Sequence, residues 1–291
     1  MARVTRKVLC GALGVAKKWL RRDEVVAVGI GLRRRAGSHT AEPAIVVTVR
    51  WKRTPDRLRE LRVAHIPKVV RVQLDGRTFD VPVDVQGAKG RLRGSPSGLV
   101  ACPLDTDDAR FGVVSALVSR GAQRFILTAA HVVRQLGRGV VVIGRGRHVR
   151  GTVSEIHAAG NLDHALIQST ETLAPSEATF PLGEPLAGVR ASSTLRLGEL
   201  VFFRKRNGQL RQVSILKVDE TVDFNMPVGS TRFSGVVSTS LASERGDSGA
   251  LLYDNNFRAV GTLLGGFGAY SCFLPCQPSF GRLNVTLFRE V

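Results

Sequence analysis

The sequence has 291 residues, of which 43% are hydrophobic and 23% charged, so it can bury a sizeable core in one large domain or in a domain with a smaller companion. It has no run of 18 apolar residues, and its apolar content is too high for a disordered chain, which excludes a membrane-spanning helix and intrinsic disorder. The net charge of +18 comes mainly from scattered arginines, and aromatic residues are only 6% of the chain, so stacking surfaces for nucleic-acid bases are not indicated.

The N-terminal 23 residues allow two interpretations. A basic start and a short apolar run from Val8 to Ala16 are compatible with a signal peptide. Val8, Ala12, Val15 and Trp19 also recur at helical spacing and would form one apolar face. We favour the amphipathic helix.

Residues 24–86 predict a small α/β domain. Two strands, Val25–Leu32 and Ala44–Trp51, are expected to form a hairpin joined by an exposed loop from Arg33 to Pro43. Gly29 and Gly31 lack the third glycine of a dinucleotide-binding loop, so we expect a close-packed strand there.

The second half of this predicted domain contains a helix and another hairpin. The helix is expected from Pro55 to about Val63. The hairpin joins Val70–Leu74 to Phe79–Val85 around the tight turn Asp75-Gly76.

A change of composition separates residues 24–86 from the rest of the chain. Glycine, serine, proline and charge replace periodic apolar residues, which predicts a linker over residues 87–97. From residue 98 to 291, many short apolar runs alternate with turn signals, which is typical of an all-β barrel or sandwich.

The four cysteines do not form the dense pattern of a small disulfide-rich domain. Reduced thiols, and with them a cytoplasmic location, are the default expectation, and secretion is the alternative. Cys272 and Cys276 are close enough for a local bridge or half a metal site, but no second Cys/His pair accompanies them. We therefore expect no metal and no cofactor, and either two partly buried thiols or a small bridge.

Three motifs in the β region suggest nucleophilic catalysis. An apolar strand followed by Thr-Ala-Ala ends at His131, a placement that suits a general base. Asp163 precedes another apolar strand and could hold an imidazole in one tautomer. The adjacent His164 is expected at the surface.

The third motif is Gly246-Asp247-Ser248-Gly249, followed directly by an apolar strand. Glycines on both sides of the pair Asp247-Ser248 allow a sharp turn that presents the hydroxyl of Ser248. The amides of Gly246 and Ser248 can then converge on a developing oxyanion.

With its triad in the order His131, Asp163, Ser248, the chain resembles the chymotrypsin-like (trypsin-like, clan PA) serine peptidases from about residue 99 to the end. The resemblance implies a mainly β fold, with a two-barrel protease domain at residues 98–291. The stretch before it is similar to the leader domain of bacterial trypsin-like peptidases, which implies a preceding small α/β domain.

The same resemblance implies roles for residues near the nucleophile. Ala242 would lie at the base of the specificity pocket, with Gly265 and Gly266 on the strand that backs the substrate. This arrangement implies a preference for an apolar residue before the scissile bond, unless Glu244 turns into the pocket. Asp247 lacks the amino terminus that zymogen activation supplies, so an arginine or a backbone donor would have to hold it.

The sequence thus predicts a serine endopeptidase acting on proteins or peptides. Its main alternative is a catalytically idle protease fold that serves as a binding module. The α/β domain is a possible docking site for a regulatory partner. No nucleic-acid partner is expected, because the positive charge is scattered. A nucleic-acid binder would show salt-sensitive affinity for DNA or RNA.

Overall fold

The structure is a computed structural model. It describes residues 4–22, 24–35, 38–49, 52, 54, 58, 64–87, 93–94, 100–101, 112–133, 136–137, 139–144, 147–171, 186–226, 229–267 and 269–288. The helices are α1 Arg6–Ala16, α2 Ala130–Val133 and α3 Cys276–Leu283, with 3₁₀ turns at Lys17–Arg21 and Ser192–Thr194.

The strands of the N-terminal region and the first sheet come first along the chain. They are β1 Val25–Arg35, β2 Ser38–Val49, β3 Val69–Leu74, β4 Arg77–Gly87, β5 Arg93–Gly94, β6 Val100–Ala101, β7 Ala116–Arg120, β8 Gln123–Thr128, β9 Gly139–Gly144, β10 Arg147–His157 and β11 His164–Ser169. The remaining strands are β12 Gly188–Val189, β13 Leu200–Arg204, β14 Leu210–Met226, β15 Gly229–Ser240, β16 Leu251–Tyr253, β17 Arg258–Phe267, β18 Tyr270–Pro275 and β19 Thr286–Leu287.

These strands form two sheets, which confirms the mainly β fold. The first sheet has seven strands in the order β19-β7-β8-β11-β10-β9-β6. In the second, β13-β16-β17-β18-β15-β14 form a ring of six strands, because β13 also pairs with β14. We call this set the six-stranded ring.

The N-terminal strands extend the second sheet outward from the ring. β1 pairs antiparallel with β14, aligning Ala27 with Val222 and Gly31 with Lys217. β2 then pairs with β1, β4 with β2, and β3 with β4. The sheet is thus continuous from the predicted α/β domain into the ring, and the division into domains stays a prediction.

Of two sequence-based expectations for the N-terminal strands, the structure confirms one and contradicts the other. The second hairpin forms around Asp75-Gly76 as predicted. The predicted loop from Arg33 to Pro43 is wrong, because β1 runs to Arg35 and β2 begins at Ser38. Arg33 pairs with Glu42 across this hairpin at 3.0 Å, so its outer part is a polar strand pair that apolar periodicity does not reveal.

Two other expectations fall largely outside the described residues. The predicted helix from Pro55 to Val63 is described only at Leu58, and residues 87–97 only at Gly87, Arg93 and Gly94. Arg93 and Gly94 pair with Gly266 and Gly265 of β17.

The N-terminal helix forms, and the hydroxyl of Thr5 caps it by accepting a hydrogen bond from the amide of Val8. Its predicted apolar face is wrong at Val15, which is 43% exposed, because the helix turns Leu9 and Leu13 inward instead. The helix shares one apolar core with the N-terminal strands and the ring, including Phe203 of β13. No helix among the described residues is long and apolar enough to cross a membrane.

Candidate active site

His131 and Asp163 meet where two neighbouring strands of the first sheet end and begin. β8 ends at Thr128 and leads into the short helix α2, which carries His131, while Asp163 directly precedes β11. β8 and β11 pair, with Thr128 opposite Ala165. This pairing brings the ring Nδ1 of His131 to 2.5 Å from Oδ2 of Asp163, and the His131 amide donates to Oδ1 at 2.9 Å.

The two hydrogen bonds fix both partners. Burial alone would raise the pKa of Asp163, but the charge of His131 and the hydrogen bonds from its ring and amide hold that pKa below its usual value. A carboxylate accepting from Nδ1–H leaves Nε2 as the basic nitrogen of the imidazole. The geometry therefore suits a general base at Nε2 of His131.

The loop that carries Ser248 is hydrogen-bonded to the segment at residues 113–115, which leads into β7. The carbonyl of Ser248 accepts from the amide of Val113 at 2.7 Å, and the hydroxyl of Ser115 donates to the carbonyl of Gly249 at 2.6 Å. Thr128, at the end of β8, donates to the carbonyl of Val113 at 3.0 Å. Through Val113, the Ser248 loop is thus linked to the end of β8, three residues before His131.

Gly249 is required at this contact. Its φ is +89°, and a Cβ there would lie 2.3 Å from the carbonyl oxygen of Val113. Gly246, on the other side of Ser248, has a φ of +105°. Both flanking glycines thus have the backbone conformations that the sequence motif predicts.

Asp247 is held by backbone donors, one of the two arrangements that the sequence left open. Its carboxylate accepts from the amides of Arg206 and Glu244, both at 2.8 Å, and the residue is 2% exposed. The side chain of Glu244 is 70% exposed and pairs with Lys205 at 2.5 Å, so it does not turn into the pocket. The loop is therefore braced without a new amino terminus.

Beside this loop, Ala242, Gly265 and Gly266 lie around a small polar cluster. The hydroxyl of Ser271 accepts from the amides of Ala242 and Ser243 at 3.1 and 3.0 Å and donates to the Ser243 hydroxyl at 2.8 Å. A Cβ on Gly266 would be 3.6 Å from the Ser243 hydroxyl. Sequence analysis missed Ser243 and Ser271, since nothing in their local pattern distinguishes them from surface serines.

The expectation that His164 lies at the surface is wrong. The residue is fully buried, and its Nε2 lies 2.8 Å from the hydroxyl of Thr262 on β17, so it links the first sheet to the ring. Burial lowers its pKa to about 4, despite the nearby charge of Asp163. The side chain of His164 is buried because it faces β17 of the ring rather than solvent.

The cysteines of the described residues are free thiols. Cys272 and Cys276 are not bridged, as in the first of the two arrangements expected, but they are fully rather than partly buried. Burial raises the pKa of Cys272 to about 12, so its thiol stays protonated at neutral pH. Within the described ranges, no group of three or more His, Cys, Asp or Glu side chains could hold a metal ion.

The fold resembles bacterial serine proteases of known structure. The Nocardiopsis protease NAPase has 21% sequence identity, a TM-score of 0.50, and coverage of 69% of this chain and 100% of its own. Protease A of Thermobifida fusca has 22% identity, covering 61% and 91% of the two chains with a TM-score of 0.48. Cellulomonas bogoriensis chymotrypsin has 18% sequence identity and a TM-score of 0.48, and the match covers 69% of this chain and 100% of that protein.

In sequence, no curated protein matches the chain. Residues 112–261, slightly more than half of the chain, match the trypsin-like peptidase domain. This segment includes the motifs around His131, Asp163 and Ser248 and lies in a mainly β, chymotrypsin-like fold. The chain therefore belongs to the trypsin-like peptidase family.

Proposed function

We propose that the chain is a serine endopeptidase in which Ser248 is the nucleophile, His131 the general base and Asp163 the residue that orients the imidazole. The observation that carries the proposal is the pair of hydrogen bonds between His131 and Asp163, together with a Ser248 loop that is linked through Val113 to Thr128 at the end of β8. The same three residues, in the chain order His, Asp, Ser, carry the sequence resemblance to the chymotrypsin-like peptidases.

In the first half of the reaction, the hydroxyl oxygen of Ser248 attacks the carbonyl carbon of the scissile bond. Its proton passes to Nε2 of His131, and Asp163 stabilises the resulting imidazolium. The oxyanion takes hydrogen bonds from the amides of Gly246 and Ser248. His131 then protonates the leaving amine, which departs and leaves an acyl-enzyme on Ser248.

In the second half, His131 takes a proton from water, and the hydroxide attacks the acyl carbon. Collapse of this second tetrahedral intermediate releases the carboxylic acid and returns the proton to Ser248. Asp163 stays ionised throughout, in line with its lowered pKa.

We propose an uncharged specificity pocket between Ala242 and the segment Gly265-Gly266. Glu244 is turned outward to Lys205, so an arginine or lysine of the substrate would have no counter-charge from this loop. A medium or large apolar residue before the scissile bond is the preference that we propose. The partners are then protein or peptide substrates, and the N-terminal strands are a candidate surface for a regulatory partner.

A peptide-library cleavage profile tests this proposal. The wild type should cleave with a consistent preference for an apolar residue before the scissile bond. Ser248→Ala should have the same thermal stability as wild type and should cleave no peptide. Cleavage by Ser248→Ala would exclude Ser248 as the nucleophile. Selective cleavage after arginine or lysine would show that the pocket is assigned wrongly, and a folded wild type that neither cleaves nor reacts with a fluorophosphonate would indicate a binding module.

A further inference from the structure

A buried polar network lies behind the candidate pocket, and the catalytic steps above make no use of it. At its centre, Lys217 donates to Glu220 at 2.8 Å and to the hydroxyl of Thr48 at 3.2 Å. The ammonium of Lys217 also lies 3.9 Å from the ring centroid of Tyr270. Glu220 accepts from the hydroxyl of Ser238. We call Lys217, Glu220, Thr48, Ser238, Tyr270 and Gln86, which accepts from the hydroxyl of Tyr270, the buried polar network.

The network holds a true charge pair in the interior. The side chains of Lys217 and Glu220 are 1% and 0% exposed. Burial by itself lowers the pKa of Lys217, but the charge of Glu220 and the hydrogen bond to it raise that pKa above its ordinary value. Such a pair often contributes little net stability compared with apolar residues of similar volume. Stability alone is therefore a weak reason for this pair.

The network joins the N-terminal strands to the ring. Thr48 lies on β2 and Gln86 on β4, whereas Lys217 lies on β14. β1 runs between them and has glycines, Gly29 and Gly31, where it faces the network. A Cβ on Gly29 would lie 2.9 Å from the Cβ of Glu220, and one on Gly31 would lie 3.0 Å from Cγ of Lys217. The two glycines predicted to belong to a close-packed strand therefore serve this approach.

On its other side, the network reaches the strand that supports the pocket. Tyr270 and Cys272 of β18 lie opposite Phe267 and Gly265 of β17, and Ser271 lies between them. Because side chains alternate along a strand, Tyr270 faces the network while Ser271 faces the loop before the nucleophile. The Ser271 hydroxyl binds the amides of that loop, as described above. One face of β18 thus contacts the network and the other contacts the pocket.

We propose that Tyr270, Lys217 and Glu220 are positioning residues for substrate selection. They fix the position of β18, which supports the pocket, relative to the N-terminal strands. This inference rests on the proposed peptidase function. It means that the strands before residue 87 take part in substrate selection, although they contribute no residue to the triad.

Tyr270→Phe is the sharpest variant, because it keeps the ring over Lys217 and removes only the hydroxyl that binds Gln86. Tyr253→Phe is the matched control, since Tyr253 is the other tyrosine of the chain, is also buried, and lies on β16 packed against Phe202 and Phe257. A second variant, Lys217→Met with Glu220→Leu, replaces the charge pair by apolar side chains and so removes the polar ties without leaving one charge buried alone.

Two readouts separate positioning from chemistry and from folding. The rate of Ser248 labelling by a small fluorophosphonate needs the triad and little of the pocket, whereas kcat and KM for the best library peptide need both. We expect Tyr270→Phe and the double variant to label within about twofold of wild type and to raise KM about tenfold with kcat changed less. We also expect them to weaken the selectivity for the residue before the scissile bond. Tyr253→Phe should match wild type in all of these.

The proposal is overturned if folded Tyr270→Phe and the double variant keep the wild-type KM and preference. It is equally overturned if labelling falls in parallel with kcat/KM, because that pattern reports general loosening. Failure of wild type to label at Ser248 would instead refute the peptidase function and, with it, this inference. A thermal unfolding midpoint for each variant shows whether it is folded.

Discussion

The first sheet and the six-stranded ring bury charged groups in different places relative to the candidate site. In the first sheet, the buried ionisable pair His131 and Asp163 belongs to the site itself, and the buried His164 next to it contacts the ring. In the ring, the pair Lys217 and Glu220 lies behind the pocket and contacts the N-terminal strands. The first sheet therefore supplies the proposed general base and the carboxylate that orients it, whereas the ring, which carries Ser248 just before β16, is continuous with the N-terminal strands.

The largest expected effect comes from removing that added sheet. A chain beginning at Gly94 would leave β14 without its partner β1, uncover the core around Phe203 and Phe273, and leave Lys217 without Thr48. We expect this chain to be insoluble or to lack a cooperative thermal transition. The full-length protein under the same conditions is the control.

A soluble truncated chain that unfolds cooperatively would show that the ring is independent of the N-terminal strands. That result would favour the separable domain predicted at residues 24–86 over the dependence inferred from the continuous sheet. Limited proteolysis within residues 87–97 of the full chain gives a second view of the same question.

Substitutions in the triad come next. Ser248→Ala, His131→Ala and Asp163→Asn should each lower kcat by about 10⁴-fold or more, since the three side chains act as a unit. Thermal stability should change far less for Ser248→Ala than for Asp163→Asn, because Asp163 also accepts the amide of His131. Steady-state kinetics on the best library peptide, with thermal unfolding of each variant, checks both parts. A kcat within tenfold of wild type in any of the three would contradict the assigned role.

The difference between the two halves also explains which features could be predicted from the sequence. The motifs around His131, Asp163 and Ser248 are local, and each combines a strand with the residues that end or begin it, so their chemistry could be inferred. The pairing of β1 with β14 joins residues nearly 200 positions apart, and no local pattern encodes it.

The buried polar network was invisible for a related reason. Lys217 and Glu220 stand in a segment with Asp219 and Asp223, which has the composition of a solvent-exposed strand. Their burial follows only from the strands that cover them. His164 was misplaced because a polar residue beside a turn is usually exposed, and its contact with Thr262 joins separate sheets.

The contact between the two sheets at His164 makes the fold sensitive to acid. The pKa of His164 is lowered from 6.5 to about 4, so below pH 6.5 the unfolded chain takes up a proton that the folded chain does not. The stability that this group contributes is present above pH 6.5 and is lost as the pH falls through 4, by about 3 kcal/mol.

His164→Gln should therefore flatten the decline of unfolding free energy between pH 6.5 and 4, measured by urea denaturation. His157→Gln is the matched control, because His157 pairs with His164 across the two strands but is half-buried. An unchanged pH dependence in His164→Gln would show that another group carries this acid sensitivity.

The smallest effect is expected at the cysteines. Because Cys272 and Cys276 are unbridged, a reducing agent should leave the thermal midpoint unchanged. Both thiols should react with a thiol reagent only after denaturation, since they are buried and the pKa of Cys272 is raised to about 12. A mass lower by two hydrogens that maps to these residues would contradict this assignment.

The intact mass of the protein after reaction with a small fluorophosphonate tests whether Ser248 and His131 form the reacting pair. We predict one adduct, mapped by peptide sequencing to Ser248, which is absent in Ser248→Ala and forms much more slowly in His131→Ala. An adduct on another residue, or equal labelling of wild type and Ser248→Ala, would contradict the proposal that Ser248 and His131 form the reacting pair.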